Sequence, residues 1–369
     1  MKVLHVIARV NRGGTSTWLG ELVPGLRDIG IENVVATGRV SEGEIEDPIF
    51  NSLKCYRIEG LGRSISIIQD FKAFRSLRKL TLTYKPDVIN THTSKAGVIG
   101  RLVAVSLGRN RPAVVHTYHG HLLYGYFGKF SIVAYVLIEK ALGIFTDGFI
   151  SSGEKVKNEL LKAGIGQENK YYVIRPGVKR LPVLKKEDLR EKFKIPTNSI
   201  LVGWLGRLAP IKRPDRVVSL AHELPNFVFF VGGEGALLSE LKQVAPKNVI
   251  FAGWVNPEEI WSIADIALLT SDNEAQPISL VEAALSGIPQ VGWNVGSVSE
   301  VVIDGETGFL VTSEQDAIKH LTKLAQDYEL RWKLGAKAKK HAMETFNPQQ
   351  FIDLHLRSYE RAILVLNGA

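Results

Sequence analysis

The chain has 369 residues, of which 45% are hydrophobic and 23% are charged, a composition typical of a globular protein of two domains. Its single cysteine, Cys55, excludes an internal disulfide and fits a reducing compartment, and we expect it to be a small core residue in a strand. The formal net charge of +8 fits a solvated basic surface, a polyanionic partner or an anionic membrane. The sequence shows no nucleic-acid-binding motif, so we expect no nucleic-acid partner.

The apolar segments near the N-terminus and in the middle of the first half are short. Residues 3–8 are too few for a secretory signal and lead into Arg9 and Arg12. Residues 130–138 form the longest apolar stretch, far below the roughly 20 residues that span a bilayer. We therefore predict a cytoplasmic protein without a transmembrane segment.

Apolar runs and helical patterns alternate through the first half of the chain. A Gly-rich turn follows the first strand and precedes a helix that ends near Ile29. Strands are predicted at residues 3–8, 34–37, 88–92, 114–118, 148–151 and 172–174. Helices are predicted at residues 94–107, 130–142 and 155–163.

The alternation pauses near Arg175-Pro176-Gly177 and restarts at residue 200. The charged residues 185–188 follow Pro182, and we place the interdomain linker in this segment. Strands are predicted at residues 200–205, 227–231, 249–252, 266–270 and 289–292. Helices are predicted at residues 213–223, 237–244, 257–264, 278–286, 314–340 with an interruption, and 348–366.

Strand–helix alternation of this kind predicts parallel sheets covered by helices on both faces. We predict an α/β protein with two tandem Rossmann-like, doubly wound domains that face a central cleft, with domains at residues 1–178 and 179–347. Ligands of such sheets bind outside the carboxyl ends of the strands. The strand-to-helix turns of both halves are therefore the places to look for a site.

The most informative motif surrounds the predicted helix that begins near residue 278. Pro277 lies near the helix start, and the free N–H groups of the first turn form an anion site suited to a diphosphate. Glu274 then lies where its carboxylate accepts hydrogen bonds from sugar hydroxyls, and Glu282 can hold two vicinal hydroxyls, as on a ribose. The alternative is a pair of solvated glutamates beside a helix.

A second motif follows the strand at residues 200–205. Arg207 and Lys212 come between the strand end and the next helix, where two cations can neutralise a diphosphate and stabilise it as a leaving group. The alternative is a basic loop on a basic protein. A further Gly-rich turn, which contains Gly233, follows the next strand and is weak evidence alone.

Gly13 and Gly14 permit close backbone approach to a ligand at the start of the first helix. They do not belong to a Gly-x-Gly-x-x-Gly fingerprint, which disfavours a nicotinamide dehydrogenase. His116, His119 and His121 follow one another closely, but strand alternation places His119 on the face opposite His116. We expect a substrate-bonding His119 rather than a metal site.

Together these residues resemble the retaining glycosyltransferases of the GT-B fold, in the large group 1, family 4-like set that includes many bacterial capsular and exopolysaccharide transferases. The matching motifs extend over nearly the whole chain and occur in the same order as in that family. It also includes Val295-Gly296, Glu300 and the segment 305–311.

The resemblance implies a role for each motif. Arg207 and Lys212 would bind the donor diphosphate, Glu282 the ribose, and Glu274 the transferred sugar. The backbone of the turn after Glu274 would close around sugar and phosphate, and Gly13, Gly14 and His119 would act from the N-terminal, acceptor-binding domain, with His119 near the 6-position of the sugar. The residues of this turn are Ala275, Gln276, Pro277, Ile278 and Ser279. The final helix, 348–366, would cross back onto the N-terminal domain, leaving 179–347 as the donor domain.

The resemblance also implies a mechanism without a metal or other cofactor. The acceptor hydroxyl attacks from the face that the diphosphate leaves, and a phosphate oxygen takes its proton. No Asp-x-Asp motif is present. The family commonly has Gly after the glutamate at position 274, whereas this chain has Ala275 and Gln276, so the resemblance leaves the donor sugar undefined. Uridine is the expected base.

Several other functions remain open at this point. A nucleotide-sugar 2-epimerase uses the same architecture, and a non-catalytic nucleotide-sugar-binding protein would keep the fold. A glycan phosphorylase is disfavoured by the chain length and by the lack of a pyridoxal-phosphate lysine motif.

The expected acceptor is a glycan, a glycolipid or a polyprenyl-linked sugar. The aromatic and basic stretch 121–129 is expected beside it, and a basic amphipathic helix near Phe71 and Phe74 suggests peripheral association with the inner face of an anionic membrane. An ordinary half-buried helix is the alternative. Its basic residues are Arg63, Lys72, Arg75, Arg78 and Lys79.

Overall fold

The computed structural model describes residues 1–41, 44–62, 64–120 and 129–368. The predicted basic residue Arg63 and the aromatic stretch that begins at His121 lie outside these residues, except for the backbone of Lys129. The chain divides into two compact units. Unit 1 is Met1–Gly177 with the C-terminal segment that begins at Pro348, and unit 2 is Val178–Asn347.

The elements alternate along the described chain. The strands are β1 (Lys2–Ile7), β2 (Glu32–Thr37), β3 (Cys55–Arg57), β4 (Val88–His92), β5 (Ala113–Tyr118), β6 (Gly148–Ser151), β7 (Tyr171–Val173), β8 (Ile200–Leu205), β9 (Phe227–Gly232), β10 (Val249–Gly253), β11 (Ile266–Leu269), β12 (Gln290–Trp293) and β13 (Gly308–Val311). The helices are α1 (Gly14–Asp28), α2 (Ile49–Ser52), α3 (Ile67–Tyr84), α4 (Ser94–Val105), α5 (Lys129–Gly143), α6 (Glu154–Lys162), α7 (Lys186–Lys192), α8 (Pro214–Glu223), α9 (Leu238–Val244), α10 (Pro257–Trp261), α11 (Ile278–Leu285), α12 (Glu314–Gln326), α13 (Tyr328–Thr345) and α14 (Pro348–Leu366). No described helix has both the length and the apolar character that a bilayer crossing requires.

Unit 1 is built on a parallel sheet with the strand order β3-β2-β1-β4-β5-β6-β7 among its described residues. The order reverses between β1 and β4, which is the switch point where doubly wound sheets bind ligands. The helices α3 and α4 cover one face, where Leu77 and Val103 pack on β1 and β5. The helices α1 and α14 cover the other face, where Trp18 and Phe351 pack together.

Unit 2 repeats this plan with the strand order β10-β9-β8-β11-β12-β13 among its described residues. The order reverses between β8 and β11. One face packs against α10, α11 and α13, and the other packs against α8, α9 and α12. The strands are apolar on both faces, because both faces are covered by helices. The predicted fold class is confirmed within each unit.

The predicted linker contains a helix that the sequence analysis missed. This helix, α7, places Leu189 in the core of unit 2, and the neighbouring Arg190 is also buried. The Arg190 guanidinium donates to Asp265, whose carboxylate also accepts the backbone N–H of Leu201. The charged segment 185–188 is thus the start of α7, which is fastened to the sheet, rather than a free linker.

A buried ion pair joins α4 and α5 in unit 1. The side chains of Arg101 and Glu139 are both 0% exposed, and two bonds of 2.8 and 2.9 Å join the guanidinium to the carboxylate. The hydroxyl of Tyr118 donates to the same carboxylate at 2.6 Å. A buried charge that loses its partner is strongly destabilising, because neither water nor a counter-charge solvates it.

We predict that Glu139→Gln lowers the free energy of unfolding by about 3 kcal/mol or more, because Arg101 stays charged in the core. Urea unfolding measures the change. The control is Glu59→Gln, which removes the exposed partner of Lys72 in the same unit and should cost less than about 1 kcal/mol. Equal, small changes in both variants would contradict the importance of the buried pair.

Candidate active site

The predicted donor residues of unit 2 converge at its switch point. Arg207 and Lys212 follow β8, and Glu274 follows β11, the strand next to β8. Because these strands are parallel, their carboxyl ends lie at the same edge of the sheet. Residues that are 62 positions apart in sequence therefore come into contact.

Lys212 and Glu274 form an ion pair. The ammonium lies 2.5 Å from the carboxylate, whose side chain is 8% exposed, and the Ser271 hydroxyl donates to the same oxygen at 2.6 Å. The backbone supports the pair, because Thr270 donates its hydroxyl to the Lys212 carbonyl at 2.8 Å. The Trp204 indole in turn donates to the Thr270 hydroxyl. Hydrogen bonds from the buried residues Trp204 and Thr270 thus hold the turn that carries Lys212 next to the end of β11.

Arg207 differs from the other arginines of this edge. Its side chain is exposed and has no hydrogen bond or ion pair with a described residue. Arg213 pairs with Asp215 and Asp272, and Arg216 also pairs with Asp272. Arg213 and Arg216 are therefore neutralised within the protein, whereas Arg207 offers a guanidinium to an anion.

Gly296 fixes the backbone of Glu274. Its φ of +51° lies in the left-handed region, and an added Cβ would come 1.7 Å from the Glu274 carbonyl oxygen. The neighbouring Ser297 amide donates to that oxygen at 3.0 Å. The Val295-Gly296 motif thus positions the Glu274 turn, a role that the sequence analysis did not assign.

Gly233 has a similar supporting role in the turn after β9. Its φ is +131°, and an added Cβ would lie 1.9 Å from the carbonyl oxygen of Gly206. Its amide donates to the Gly253 carbonyl at 2.7 Å. Gly233 lets the backbone approach the turn that carries Arg207, so it contributes packing to this edge of the sheet.

The segment 275–279 leads from Glu274 into α11. The amides of Leu280 and Val281 donate to the Pro277 carbonyl, whereas those of Ile278 and Ser279 have no backbone acceptor among the described residues. Amides of this kind at a helix start can bind an anion. Ala275 and Gln276 are half-buried in the same turn, and the Gln276 amide lies 3.4 Å from the Glu300 carboxylate.

Glu282 lies one turn into α11 and is buried. Burial raises the pKa of its carboxyl to about 8, the nearby Trp261 indole lowers it, and the charge of Glu258 adds to the increase. In the ligand-free protein this carboxyl is therefore protonated over much of the neutral range, and it can both donate to and accept from a hydroxyl.

In unit 1, Gly13 and Gly14 lie at the switch-point end of β1. Gly13 caps α1 with a φ of +145°, and an added Cβ would meet no atom within 4 Å. Its carbonyl accepts the amides of Ser16 and Thr17 at 3.0 and 3.2 Å. Among the described residues, no side chain or backbone atom thus crowds the start of α1 at Gly13.

His119 follows β5 directly, two strands from β1 in the same sheet. Its Nε2 lies 2.9 Å from Nδ1 of His92, and Trp18 packs edge-on against its ring. Burial lowers the pKa of His119 to about 3, so the imidazole is neutral. The sequence analysis named neither His92 nor Trp18 as part of this site.

His116 lies on the other face of the sheet, next to α4. Its Nδ1 is 2.7 Å from the Thr91 hydroxyl, and its ring would block a side chain at Gly97. The predicted alternation of His116 and His119 is therefore confirmed, while His121 lies outside the described residues. Within the described ranges, no group of three or more His, Cys, Asp or Glu residues is arranged to hold a metal ion.

Comparisons with known proteins agree with this arrangement. Residues 12–180 match the family described as Glycosyltransferase Family 4, and residues 185–341 match Glycosyl transferases group 1. The UDP-Gal:alpha-D-GlcNAc-diphosphoundecaprenol alpha-1,3-galactosyltransferase of Escherichia coli is 30% identical over 286 residues, which is 73% of either chain. The O-antigen biosynthesis glycosyltransferase WbnH of Escherichia coli is 26% identical over 330 residues, 88% of this chain and 90% of the relative.

Among solved structures, Anabaena Alr3699/HepE in complex with UDP and glucose matches 98% of this chain and 99% of its own, with a TM-score of 0.83 and 19% identity. This likeness supports the GT-B fold. Since the two family matches cover both units and the Escherichia coli galactosyltransferase aligns with most of the chain, this protein belongs to the group 1, family 4 glycosyltransferases and is a glycosyltransferase.

Proposed function

We propose that the protein transfers a sugar from a UDP-sugar to a lipid-linked acceptor, with retention of anomeric configuration, in the synthesis of a cell-surface polysaccharide. The printed names of the relatives support this proposal. The Escherichia coli galactosyltransferase is named for a UDP-sugar donor and a diphosphoundecaprenol acceptor, and WbnH is named for O-antigen biosynthesis. HepE has been solved with UDP and glucose.

The observation on which the donor site rests is the ion pair between Lys212 and Glu274 at the switch point of unit 2. In the proposed complex, Arg207 and Lys212 bind the diphosphate with the free amides of Ile278 and Ser279. Glu274 accepts hydrogen bonds from the transferred sugar, and its ion pair with Lys212 keeps its carboxylate oriented. The other proposed contacts of the sugar and phosphate are the turn residues Ala275, Gln276 and Pro277, and the supporting glycine Gly233.

The proposed mechanism requires no covalent intermediate on the protein. The acceptor oxygen forms its bond to the anomeric carbon on the face that the diphosphate leaves, and the bond from that carbon to the phosphate oxygen breaks. The acceptor proton passes to an oxygen of the leaving diphosphate. Arg207, Lys212 and the start of α11 stabilise the negative charge that develops there.

We also propose that catalysis requires no metal ion. A diphosphate leaving group needs positive charge beside it, and Arg207 and Lys212 supply two such charges at one edge of the sheet. For unit 1, we propose that Gly13, Gly14 and His119 contact a ligand at the carboxyl edge of its own sheet.

The acceptor proposal draws on the exposed residues of two helices of unit 1, α3 and α5, which together we call the α3–α5 surface. On α3, Ile68 is 71% and Phe71 is 59% exposed, and on α5 Val133 and Leu137 are similarly exposed. The exposed basic residues Lys72, Arg75 and Lys79 lie among the apolar ones of α3. This combination fits the interface of an anionic membrane.

The prediction that Phe74 belongs to this surface was wrong. Phe74 is half-buried and packs against the core of unit 1, together with Leu77. Helical spacing turns Phe74 toward the sheet and Phe71 toward solvent. Exposed apolar residues lie just before and within the first turns of α3, at Ile65, Ile67, Ile68 and Phe71, and Leu82 is exposed near its end.

We predict that Arg207→Ala lowers kcat for sugar transfer from a UDP-sugar by roughly 10²- to 10³-fold, because a charged donor to the leaving group is lost. Lys212→Ala should cause a loss of similar size. UDP release measured in EDTA, with an extract of bacterial undecaprenyl-linked lipid as acceptor source, gives the rates.

Lys242→Ala is the matched control, since it removes an exposed cation from α9 in the same unit. Arg207→Ala is the sharper of the two tests, because its exposed side chain contributes little to folding. Unchanged turnover in both variants would reject the leaving-group role. An epimerised nucleotide sugar formed without acceptor would point instead to an isomerase.

A second prediction concerns Glu282. Its pKa is raised from 4.5 to about 8 in the folded protein, so between these values the folded state binds more protons than the unfolded state. The stability contributed by this group is therefore greatest below pH 4.5, falls as pH rises and is fully lost above about pH 8. We expect Glu282→Gln to gain stability relative to the native protein as pH rises through this window.

Urea unfolding at several pH values across this window checks the expectation, and UDP binding by the same variant should weaken. Glu240→Gln is the matched control, because it makes the same substitution at an exposed position of unit 2, on α9. A constant difference between native protein and Glu282→Gln at all pH values would contradict the raised pKa.

A third prediction concerns the α3–α5 surface. The protein should float with vesicles that contain anionic lipid at low salt, and Ile68→Glu should reduce the bound fraction by adding charge to the inserted apolar residues. Val244→Glu is the control, because Val244 is 58% exposed on unit 2. A native protein that stays entirely unbound at low salt would contradict membrane association.

A further inference from the structure

Three histidines of unit 1 lie on one face of three neighbouring strands. His5 belongs to β1, His92 ends β4 and His119 follows β5, and these strands are adjacent in the order β1-β4-β5. His5 pairs in register with Asn90, and His92 pairs with Thr117. His92 lies two residues beyond Asn90, and His119 lies two residues beyond Thr117. Each histidine is therefore closer to the carboxyl edge of the sheet than the one before it. Since side chains two apart share a face, the three rings form a diagonal row under α1 and α14.

Hydrogen bonds connect the row. His5 Nδ1 lies 3.3 Å from His92 Nε2, and His92 Nδ1 lies 2.9 Å from His119 Nε2. The rings of His5 and His92 are fully buried, whereas His119 is partly exposed at the edge of the sheet. His119 Nδ1 makes no hydrogen bond with a described residue. The row therefore begins in the core and ends at the proposed site.

The charge state of the row restricts its hydrogens. Burial lowers the pKa of His5 and of His119 to about 3, and that of His92 well below its usual range. The groups nearest the row are Arg27, His355 and Tyr359 on the α1 and α14 side, where Trp18 also packs, and His116 on the opposite face of the sheet. The cationic forms of Arg27, His355 and His116 oppose a proton on the row. Each of the three imidazoles is therefore neutral and carries one N–H.

Only two hydrogen arrangements satisfy both bonds. His92 has one N–H, so it must donate to one neighbour and accept from the other. In the outward arrangement, His5 donates to His92 and His92 donates to His119, which leaves the hydrogen of His119 on Nδ1. In the inward arrangement, His119 donates to His92 and His92 donates to His5, which leaves the hydrogen of His5 on Nε2.

The surroundings of His5 distinguish the two arrangements. Its Nε2 is buried and has no hydrogen-bond partner among the described residues. A buried N–H without an acceptor is rarer and more costly than an acceptor without a donor. The outward arrangement leaves only a lone pair at this atom, so it is the favoured one.

We propose that His5 and His92 are positioning residues that hold the proton of His119 on Nδ1, so that His119 donates a hydrogen bond to a ligand oxygen at the edge of unit 1. The ligand oxygen is a hydroxyl of a sugar substrate, and this part rests on the proposed function. His119 touches the sugar, and the other two act through it. Replacing His92 should then weaken the hydrogen bond that His119 donates, while the His119 ring stays in place.

The tautomer is measured directly in the ligand-free, full-length protein labelled with 15N-histidine. Long-range 1H–15N correlation separates Nδ1–H from Nε2–H, and a His119→Gln variant identifies the His119 signals. We expect Nδ1–H for His119 in the native protein. His92→Leu should move the proton to Nε2 or mix the tautomers, whereas His92→Asn should keep Nδ1–H, because an asparagine amide can donate in place of Nδ1.

The matched control is His355→Leu. His355 is equally buried and lies beside Trp18, but its Nδ1 bonds to the Phe351 carbonyl at 2.7 Å instead of to the row. It should leave the His119 tautomer unchanged. A native His119 protonated on Nε2 would overturn the proposal, as would an unchanged tautomer in a folded His92→Leu. If His92→Leu does not fold, the His119 tautomer in the native protein and in His92→Asn still tests the proposal.

A kinetic measurement separates this proposal from the proposed function. With a UDP-sugar as donor, His92→Leu should lower kcat/KM by roughly 2- to 10-fold, the effect of one neutral hydrogen bond. His119→Ala should lose about as much or more, and the double variant should lose no more than His119→Ala alone. Additive losses would overturn the positioning role. A native protein with the expected tautomer but without UDP-sugar turnover would reject the proposed function and leave the tautomer assignment standing.

Discussion

Parallel strand pairing is the constraint on which the rest of this structure depends. In each unit it forces every strand-to-helix turn to one edge of the sheet, and the reversal of strand order leaves two neighbouring turns that diverge. In unit 2 this brings Lys212 and Glu274 into contact. In unit 1 it aligns Gly13 with the turns after β4 and β5. The strand order thus determines where the site residues meet, and their side chains determine what they can bind.

The sequence predicted most elements of this framework with small errors at their ends, but it did not predict the strand β13 or the short helix α2. The strands at 88–92, 148–151 and 200–205 are confirmed, as are the α/β class and the glycosyltransferase activity. These predictions succeed because a continuous apolar run between two helical patterns is typical of a strand that is buried on both faces. The roles of Arg207, Lys212 and Glu274 in binding the donor stay predictions.

Other features could not be predicted because they depend on register or on one buried residue. The seven-residue helix α7 has mainly charged positions, and only Leu189 and Arg190 attach it to the core. The row from His5 to His119 requires the relative registers of three strands, which the spacing of histidines in sequence does not define. Gly296 was seen only as part of a motif, because its contact with the Glu274 backbone follows from a tertiary approach.

The most direct test of the central claim, a metal-independent site for a nucleoside diphosphate in unit 2, is thermal unfolding in EDTA with UDP, GDP or ADP, repeated with magnesium. A ligand that binds only the folded state stabilises it by about 2.7 kcal/mol at 100 times its dissociation constant. We predict that UDP raises the unfolding temperature of the native protein equally with and without magnesium. No shift with any of the three nucleotides, or a shift only with magnesium, would contradict the account.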